Sequence, residues 1–311
     1  MKFLQRNLIF AGILLVFFGG IAQDSLPQKS NIQQYTPSKL IGKGQYDLKW
    51  FNNLYTETES TFASGTQPRQ TFFTSTLEAY TGVGNSNKWN VGFIARLRSN
   101  VINDRSTLDV FKFDGEAGTA RSGLTAFAPS IKFVPFASLS NFSIQSSFFI
   151  PLIDNESEDG LVAAGSSRSP VFLEQNGFVW QNRLFYDYTF PRDKWQIFSE
   201  LTTELNFGKA SVQDSNGNTI DGSFANNSLN LNPGIFLSYF PSSNFTVLVL
   251  AQHSQRLDLG NEFTQDFTAL GGGAKYQLTD ALNLEALYTN FVRGNNTGLG
   301  QTFNLGLRGI F

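Results

Sequence analysis

Alternation of apolar and polar residues, repeated along most of the chain, constrains the fold more than any other feature. Between Leu299 and Phe311 an apolar group occupies nearly every odd position, whereas Asn304, Gly306 and Arg308 occupy even positions. Successive side chains of a β-strand point to opposite faces, so this segment predicts a strand with one apolar and one polar face. Strands of a transmembrane β-barrel have this character, because they face lipid on one side and a polar lumen on the other.

Similar segments recur along the chain, and most are longer than the roughly 9 to 11 residues that a tilted strand needs to cross the hydrocarbon layer. They lie near residues 45–57, 70–82, 89–101, 122–135, 141–153, 176–190, 194–207, 228–240, 244–256, 265–278, 283–294 and 299–311. An even number of strands returns both chain ends to one side. The sequence therefore predicts an all-β fold, a transmembrane antiparallel up-and-down β-barrel of about twelve strands with both termini in the periplasm.

The connections between these segments alternate in length. Short joins made of turn residues lie at 84–88, 137–140, 191–194, 241–244 and 279–281. The other connections, at 58–69, 102–121, 154–175, 208–227, 257–264 and 295–298, are polar, and three of them are long. Outer-membrane barrels pair short periplasmic turns with longer extracellular loops, so a first strand that starts in the periplasm fits this order.

The N-terminal residues predict export from the cytoplasm. Lys2 and Arg6 precede an apolar run at 8–18, and small residues at 20–22 offer a cleavage site. The alternative is a membrane anchor, but the apolar run is shorter than the roughly 20 residues that a spanning helix needs. We predict three parts: a signal peptide at 1–22, a periplasmic N-terminal segment at 23–43 and the barrel at 44–311. Whether the second part hangs free or folds into the lumen as a plug is left open.

Composition excludes several classes of protein. Charged residues make up 15% of the chain and aromatic residues 14%, yet the mean hydropathy is only -0.16. Alternation explains this combination, because the mean hydropathy averages apolar lipid-facing residues with polar lumen-facing ones. The net charge of -2 and the lack of a basic run give no preference for nucleic acid. The chain has no cysteine, so it uses no disulfide or thiol chemistry, and we expect no cofactor.

Aromatic residues recur just after the short joins. Trp89, Phe142, Trp195 and Phe245 each stand near the start of an alternating segment. They would lie at one depth and face lipid near the periplasmic interface, because amphipathic rings are favoured at the headgroup level. The alternative is a soluble β-sandwich whose core these rings fill. The predicted signal peptide, the even strand count and the terminal Phe311 favour the barrel.

Strand parity predicts which charged side chains face the lumen. The candidates are Lys49, Glu78, Arg96, Arg98, Lys132, Arg183, Asp187, Glu200, Glu204, Glu285, Arg293 and Arg308. Both signs are represented, unlike the single-sign rings of strongly selective pores. Two interpretations stay open: most of these charges pair as structural networks, or a subset binds a solute. Aromatic residues of the same parity, including Tyr55 and Phe291, would narrow the bore of a barrel of this size.

Two resemblances extend this interpretation. The terminal strand, with Phe303, Leu305, Leu307 and Phe311, resembles the β-signal of Gram-negative outer-membrane proteins, which barrel-insertion machinery reads. It implies a location in the bacterial outer membrane, in contact with lipid and lipopolysaccharide. Residues 271–284 resemble part of the outer-membrane transporters grouped with the meta-pathway of phenol degradation, which implies uptake of small hydrophobic or aromatic compounds.

Two local motifs suggest chemistry but have simpler explanations. His253, the only histidine, is followed directly by Ser254, whereas twelve-stranded outer-membrane phospholipases space these residue types as His-x-Ser. We therefore expect His253 to be a polar surface residue. The glycines at 271–273 lie inside a predicted strand with no helix after it, so they indicate a bend or a close approach rather than a phosphate cradle.

A third motif, an oxygen-rich loop, resembles a calcium site. Its candidate ligands are Asp214, Asn216, Asn218 and Asp221. Thr219 stands where an EF-hand loop requires glycine, and Asn-Gly is a common turn pair, so we predict an extracellular β-turn and only a weak calcium candidate.

Three functional classes remain. The leading hypothesis is a narrow channel or uptake pathway for a small solute, hydrophobic solutes included. The second is a structural or accessory barrel that joins other envelope proteins in a larger complex. The third is an envelope enzyme that modifies lipid, for which the sequence offers no convincing catalytic constellation.

Overall fold

Twelve antiparallel strands close into one barrel in which strands adjacent in sequence are adjacent in space. The computed structural model describes residues 36–114, 118–153, 171–174, 177–208, 211–213, 219–221, 227–260 and 264–311. The barrel strands are β1 (Tyr46–Ser60), β2 (Gln70–Val83), β3 (Trp89–Val101), β4 (Ala120–Phe133), β5 (Phe142–Pro151), β6 (Phe178–Thr189), β7 (Trp195–Phe207), β8 (Ser228–Tyr239), β9 (Phe245–Asp258), β10 (Gln265–Thr279), β11 (Leu282–Asn295) and β12 (Gly298–Ile310). Two further strands, Ser211–Gln213 and Thr219–Asp221, form a separate hairpin between β7 and β8. Across the described ranges, no helix is long and apolar enough to cross a membrane.

The predicted strands and their closure are confirmed. Every barrel strand begins within two residues of its predicted start. β12 pairs with β1 from Asp47 opposite Ile310 onward. Tyr46 and Phe311 add two backbone hydrogen bonds of 2.8 and 2.9 Å at the end of this seam. The sheet therefore has no open edge, which is the condition for a sheet in a hydrocarbon layer.

The outer face of the barrel is apolar and accessible. Trp50 is 52% exposed, Val249 58% and Leu305 52%. Large exposed side chains on other strands include Leu77, Phe93, Leu124, Trp180, Leu237, Leu270 and Tyr288. Soluble proteins rarely expose contiguous apolar surface on this scale, because each apolar Å² in water costs roughly 25 cal/mol. The exterior fits a lipid environment.

The two ends of the barrel differ. Short connections follow β2, β4, β6, β8 and β10, and they gather at one end together with residues 36–45 and Phe311. We call this the turn end. The remaining connections emerge at the other end, which we call the loop end. The observed alternation of short and long connections agrees with the predicted pattern.

The connection after β3 covers part of the outer wall at the loop end. A short 3-10 helix, Thr107–Lys112, places Val110 against Phe73 and Val101, and Val110 is completely buried. Ser99 donates a 2.6 Å hydrogen bond to the Val110 carbonyl oxygen. This segment was predicted as a polar loop, and its apolar residues instead pack on the sheet.

Glycines allow two strands to approach closely. A Cβ atom at Gly271 would meet the backbone carbonyl of Tyr288, and one at Gly273 would meet that of Ala286. Both positions lie on the inner face of β10, opposite Leu250 and Leu248 of β9. The predicted close approach at residues 271–273 is therefore confirmed.

Candidate functional site

The barrel encloses a central cavity of about 570 Å³. Seven predicted lumen residues line it: Lys49, Glu78, Arg96, Arg183, Glu200, Glu285 and Arg308. Arg98 and Glu204 line a second cavity of about 410 Å³ on the loop side. Lys132 lines a small pocket on the turn side, where Asp187 also faces inward and contacts Ser38.

Arg293 does not line the lumen, so that prediction was wrong. A β-bulge interrupts the pairing of β10 with β11: Ala269 lies opposite Phe291, but Thr268 lies opposite Arg293. The extra residue in β11 reverses the parity, and Arg293 joins Thr268 on the outer face. Its side chain is 52% exposed and forms an ion pair of 2.7 Å with Asp266.

Most charges of the central cavity pair with one another. Arg183 bridges two carboxylates, because its Nε lies 2.9 Å from Glu200 Oε1 and its Nη1 lies 3.3 Å from Glu78 Oε1. All three side chains are less than one-fifth exposed. Two further pairs are Arg308 with Asp47 at 2.6 Å and Lys275 with Glu285 at 2.5 Å. For these residues the contacts favour a structural network.

One sector of the cavity wall is apolar. The inner faces of β8, β9 and β11 contribute Phe236, Leu248, Leu250 and Leu287. Leu248 and Leu250 were not predicted to face the lumen, because the alternation of the other strands places polar residues there. The signal that could have found them is the uninterrupted apolar run at 247–251, which indicates a strand that is apolar on both faces.

A row of aromatic rings continues this sector toward the loop end. The ring of Phe291 lies 4.2 Å from that of Phe267 and 5.0 Å from that of Tyr55, measured between centroids. Tyr55 in turn stacks on Phe72 at 6.0 Å. Gly300, on the strand between Tyr55 and Phe291, leaves the space for their contact, because a Cβ there would meet the Tyr55 ring at 2.8 Å.

Residues 36–43, which we call the N-terminal strap, lie inside the turn end. The side chain of Asn90 makes two hydrogen bonds to the backbone of Ile41 in the strap. Its Oδ1 accepts from the Ile41 N–H at 3.1 Å, and its Nδ2 donates to the Ile41 carbonyl at 2.8 Å. Ser38 donates to Asp187, and both side chains are buried. Thr36, at the start of the described strap, lines the central cavity. The strap therefore forms part of the cavity floor, as the plug alternative expects for these residues.

Gly82 provides the contact surface for the strap. It lies on the inner face of β2, and Lys43 forms a parallel bridge with it. A Cβ at Gly82 would meet the carbonyl groups of Gly42 and Ile41. Only glycine leaves room for a backbone at this position.

Residues 171–174 narrow the loop end in a similar way. Arg98 donates to the Leu173 carbonyl at 2.8 Å, and Asn100 donates to the Phe172 carbonyl at 2.7 Å. Glu174 pairs with Arg96 and, at 3.4 Å, with Arg98. Burial alone would raise the pKa of the Glu174 carboxyl, but the two guanidinium groups outweigh it and lower the pKa to about 2.

We expect acid to release this segment from the wall. The pKa of Glu174 lies below its ordinary value of 4.5, so the carboxylate stabilises the closed arrangement above about pH 4.5. That contribution falls as the pH drops toward about 2, where the group protonates. The protection factors of the 171–174 amides, which correct the exchange rates for the intrinsic pH dependence of amide exchange, should fall over this window, and Glu174→Gln should show the lower protection already at neutral pH. Equal exchange in both proteins at every pH would contradict the assignment.

The predicted interface aromatics start their strands at the turn end. Trp89, Trp195 and Phe245 are exposed on the outer face. Phe142 has the same parity, but Phe136 stacks over it at 6.0 Å and leaves it 7% exposed. Of the four residues in the predicted insertion signal, Phe303, Leu305 and Phe311 are strongly exposed on the outer face. Their roles in the membrane interface and in insertion stay predictions.

Neither chemical motif gains support from the geometry. His253 lies on the outer face, where its Nδ1 is 3.0 Å from Thr268 Oγ1, whereas Ser254 points inward and donates to Asn232 at 2.6 Å. The two side chains therefore cannot form a nucleophile and base pair. In the calcium candidate, 214–218 and the side chain of Asp221 lie outside the described residues. Elsewhere in the described ranges, no group of three acidic or histidine ligands could hold a metal ion.

The barrel is similar to solved outer-membrane proteins. An outer membrane channel from Pseudomonas putida F1 matches with a TM-score of 0.64 and 10% identity, over 88% of this chain and 98% of that one. The beta domain of the Bordetella autotransporter BrkA matches with a TM-score of 0.54 and 14% identity, over 85% and 98%. CymD, a monoaromatic hydrocarbon channel, gives a TM-score of 0.44 and 9% identity, over 94% of each chain. No family model and no curated protein sequence matches.

The first two likenesses establish the fold and nothing more. The chain has the β-barrel fold of outer-membrane proteins. One of these two proteins is a channel and the other belongs to an autotransporter. The shared architecture therefore does not identify the function, which has to be inferred from the residues that line the lumen.

Proposed function

We propose that this protein is an outer-membrane barrel that gives a small hydrophobic or amphipathic solute a narrow path through the lumen. The observation that carries the proposal is the central cavity, which joins an apolar wall to a charged one and is bounded by segments at both ends. A cavity of about 570 Å³ lies within the usual 300 to 1,000 Å³ range of small-molecule sites. The outer membrane channel from Pseudomonas putida F1, which shares the fold, is in keeping with such a role.

We also propose how the protein is exported and inserted, and which end of the barrel faces the periplasm. The signal peptide at 1–22 is removed on export, the barrel-assembly machinery inserts the strands, and the turn end faces the periplasm. Lipid and lipopolysaccharide then surround the outer face. The strap at 36–43 closes the periplasmic mouth, so passage requires it to move. No step of this role requires catalysis.

An accessory barrel is the second candidate, because the described segments already occupy both ends of the lumen. In that case the barrel would carry other envelope proteins on its loops or on the strap, and the lumen would stay sealed. The two roles predict opposite results for solute flux.

Flux through the refolded full-length protein tests the proposal. In liposomes at neutral pH, benzoate should enter faster than in protein-free vesicles, whereas a hexasaccharide should not. In a planar bilayer we expect small, infrequent openings, because the strap has to move. A barrel that is correctly folded yet sealed to every solute, with no block by any of them, would support the accessory role instead.

A further inference from the structure

We propose that the central cavity is a binding site for a monoanionic aromatic solute, of which an aromatic carboxylate is the simplest example. This inference rests on the proposed function and names its class of solute. It follows from the division of the cavity into an apolar sector for the body of the solute and a charged sector in which one cation, Lys49, makes no ion pair within 4 Å among the described residues and can receive its head.

The apolar sector fits a ring-sized body. Phe236, Leu248 and Leu250 stand side by side on β8 and β9, with Leu287 on β11. The inner positions of β10 between Leu250 and Leu287 are glycines, and the neighbouring strand β11 comes close to them, so β9 and β11 present their apolar side chains to the cavity with no β10 side chain between them. Because an apolar ring gains roughly 25 cal/mol for each Å² that it buries, this apolar wall favours a flat apolar group.

The charged sector favours one anionic head. Of the eight charged side chains that line the cavity, seven make an ion pair within 4 Å: Glu78, Arg96, Arg183, Glu200, Lys275, Glu285 and Arg308. Lys49 is the exception in the described part of the chain. Its Nζ lies over the ring of Phe51, 5.1 Å from the centroid, and both side chains line the cavity.

The lining of the cavity as a whole also carries more positive than negative charges, which favours an anionic head as Lys49 does. Six cations and four carboxylates line the central cavity and the small pocket on its turn side, and Glu174, the partner of Arg96, adds a fifth carboxylate, which leaves a surplus of one positive charge. Lys132 in that pocket also lacks a carboxylate partner in the described ranges; it lies over Phe185 and reaches the Lys39 carbonyl at 3.4 Å. A cationic head would find every carboxylate already in an ion pair. Lys49 stands opposite Glu78 across β1 and β2 but has no carboxylate oxygen within 4 Å in the described part of the chain, so its ammonium can receive one anionic head, and a dianion would exceed its charge.

Isothermal titration of the refolded protein with benzoate, toluene and benzylammonium tests this inference. These probes share a ring and differ in charge. We expect benzoate to bind at least about tenfold more tightly than benzylammonium, a difference of about 1.4 kcal/mol. Lys49→Met should remove this preference and leave toluene binding unchanged. Lys194→Met, which removes an exposed ammonium in the turn after β6, is the matched control and should change nothing.

Further variants distinguish the loss of the binding site from the loss of the fold. Lys49→Arg retains the charge and should restore the preference for benzoate if Lys49→Met proves unstable in urea. Leu250→Asn should weaken benzoate and toluene alike, whereas Val249→Asn on the outer face should weaken neither. Equal binding of the three probes to the wild-type protein would overturn the inference. Flux without charge preference would leave the uptake pathway standing, and binding without flux would contradict the pathway but not the site.

Discussion

Gly82→Ala is expected to open the turn end of the barrel. The added methyl would run into the carbonyl groups of Gly42 and Ile41, so the strap has to leave the inner face of β2. The strand itself should remain intact, because alanine is tolerated within a sheet. We expect a several-fold increase in mean conductance in planar bilayers, through more frequent openings.

Two further variants distinguish displacement of the strap from general damage to the barrel. Gly123→Ala places a methyl on the inner face near the loop end, where the nearest atom is Leu173 Cδ1 at 3.8 Å, and it should leave the conductance unchanged. Asn90→Leu removes both hydrogen bonds to Ile41 without adding bulk at Gly82, and it should open the pore as well. Unchanged conductance in Gly82→Ala and Asn90→Leu would show that the strap does not close the path.

The second large effect is expected from Arg183→Met, which should lower the free energy of unfolding by about 3 to 5 kcal/mol. Arg183 is the ion-pair partner of both Glu78 and Glu200, and all three side chains are largely buried. Removing the guanidinium leaves two largely buried carboxylates close together without their cation. Urea unfolding of the protein in lipid vesicles, followed by tryptophan fluorescence, measures the change.

A matched set of variants isolates the charge. Adding Glu78→Gln and Glu200→Gln to Arg183→Met should recover much of the lost stability, because neutral amides carry a far smaller burial penalty. Lys194→Met, at an exposed position, should have no measurable effect. If Arg183→Met alone were as stable as the wild-type protein, the ion pairs would not be structural.

The sequence predicts the strands well because lipid imposes a simple rule on them. Every lipid-facing position must be apolar, and the pleat of a strand repeats this demand at every second residue. The start of β12 and the closure of an even-stranded sheet that ends at Phe311 could thus be predicted from the sequence. The rule weakens where the environment is apolar on both sides, as at Leu248 and Leu250, and where an extra residue shifts the parity, as before Arg293.

The contents of the lumen depend on contacts between residues far apart in the chain. Asn90 holds Ile41, Gly82 accommodates Gly42, and Arg96 holds Glu174, yet none of these pairs leaves a periodic trace in the sequence. The strap and residues 171–174 do not alternate between lipid and lumen, so their sequences carry no periodic pattern. Their positions depend on side chains that come together only when the barrel closes. The sequence by itself determined a twelve-stranded barrel with an apolar exterior. The tertiary structure decided which charges are paired, that Lys49 alone is left to face the cavity in the described part of the chain, and that both ends are narrowed.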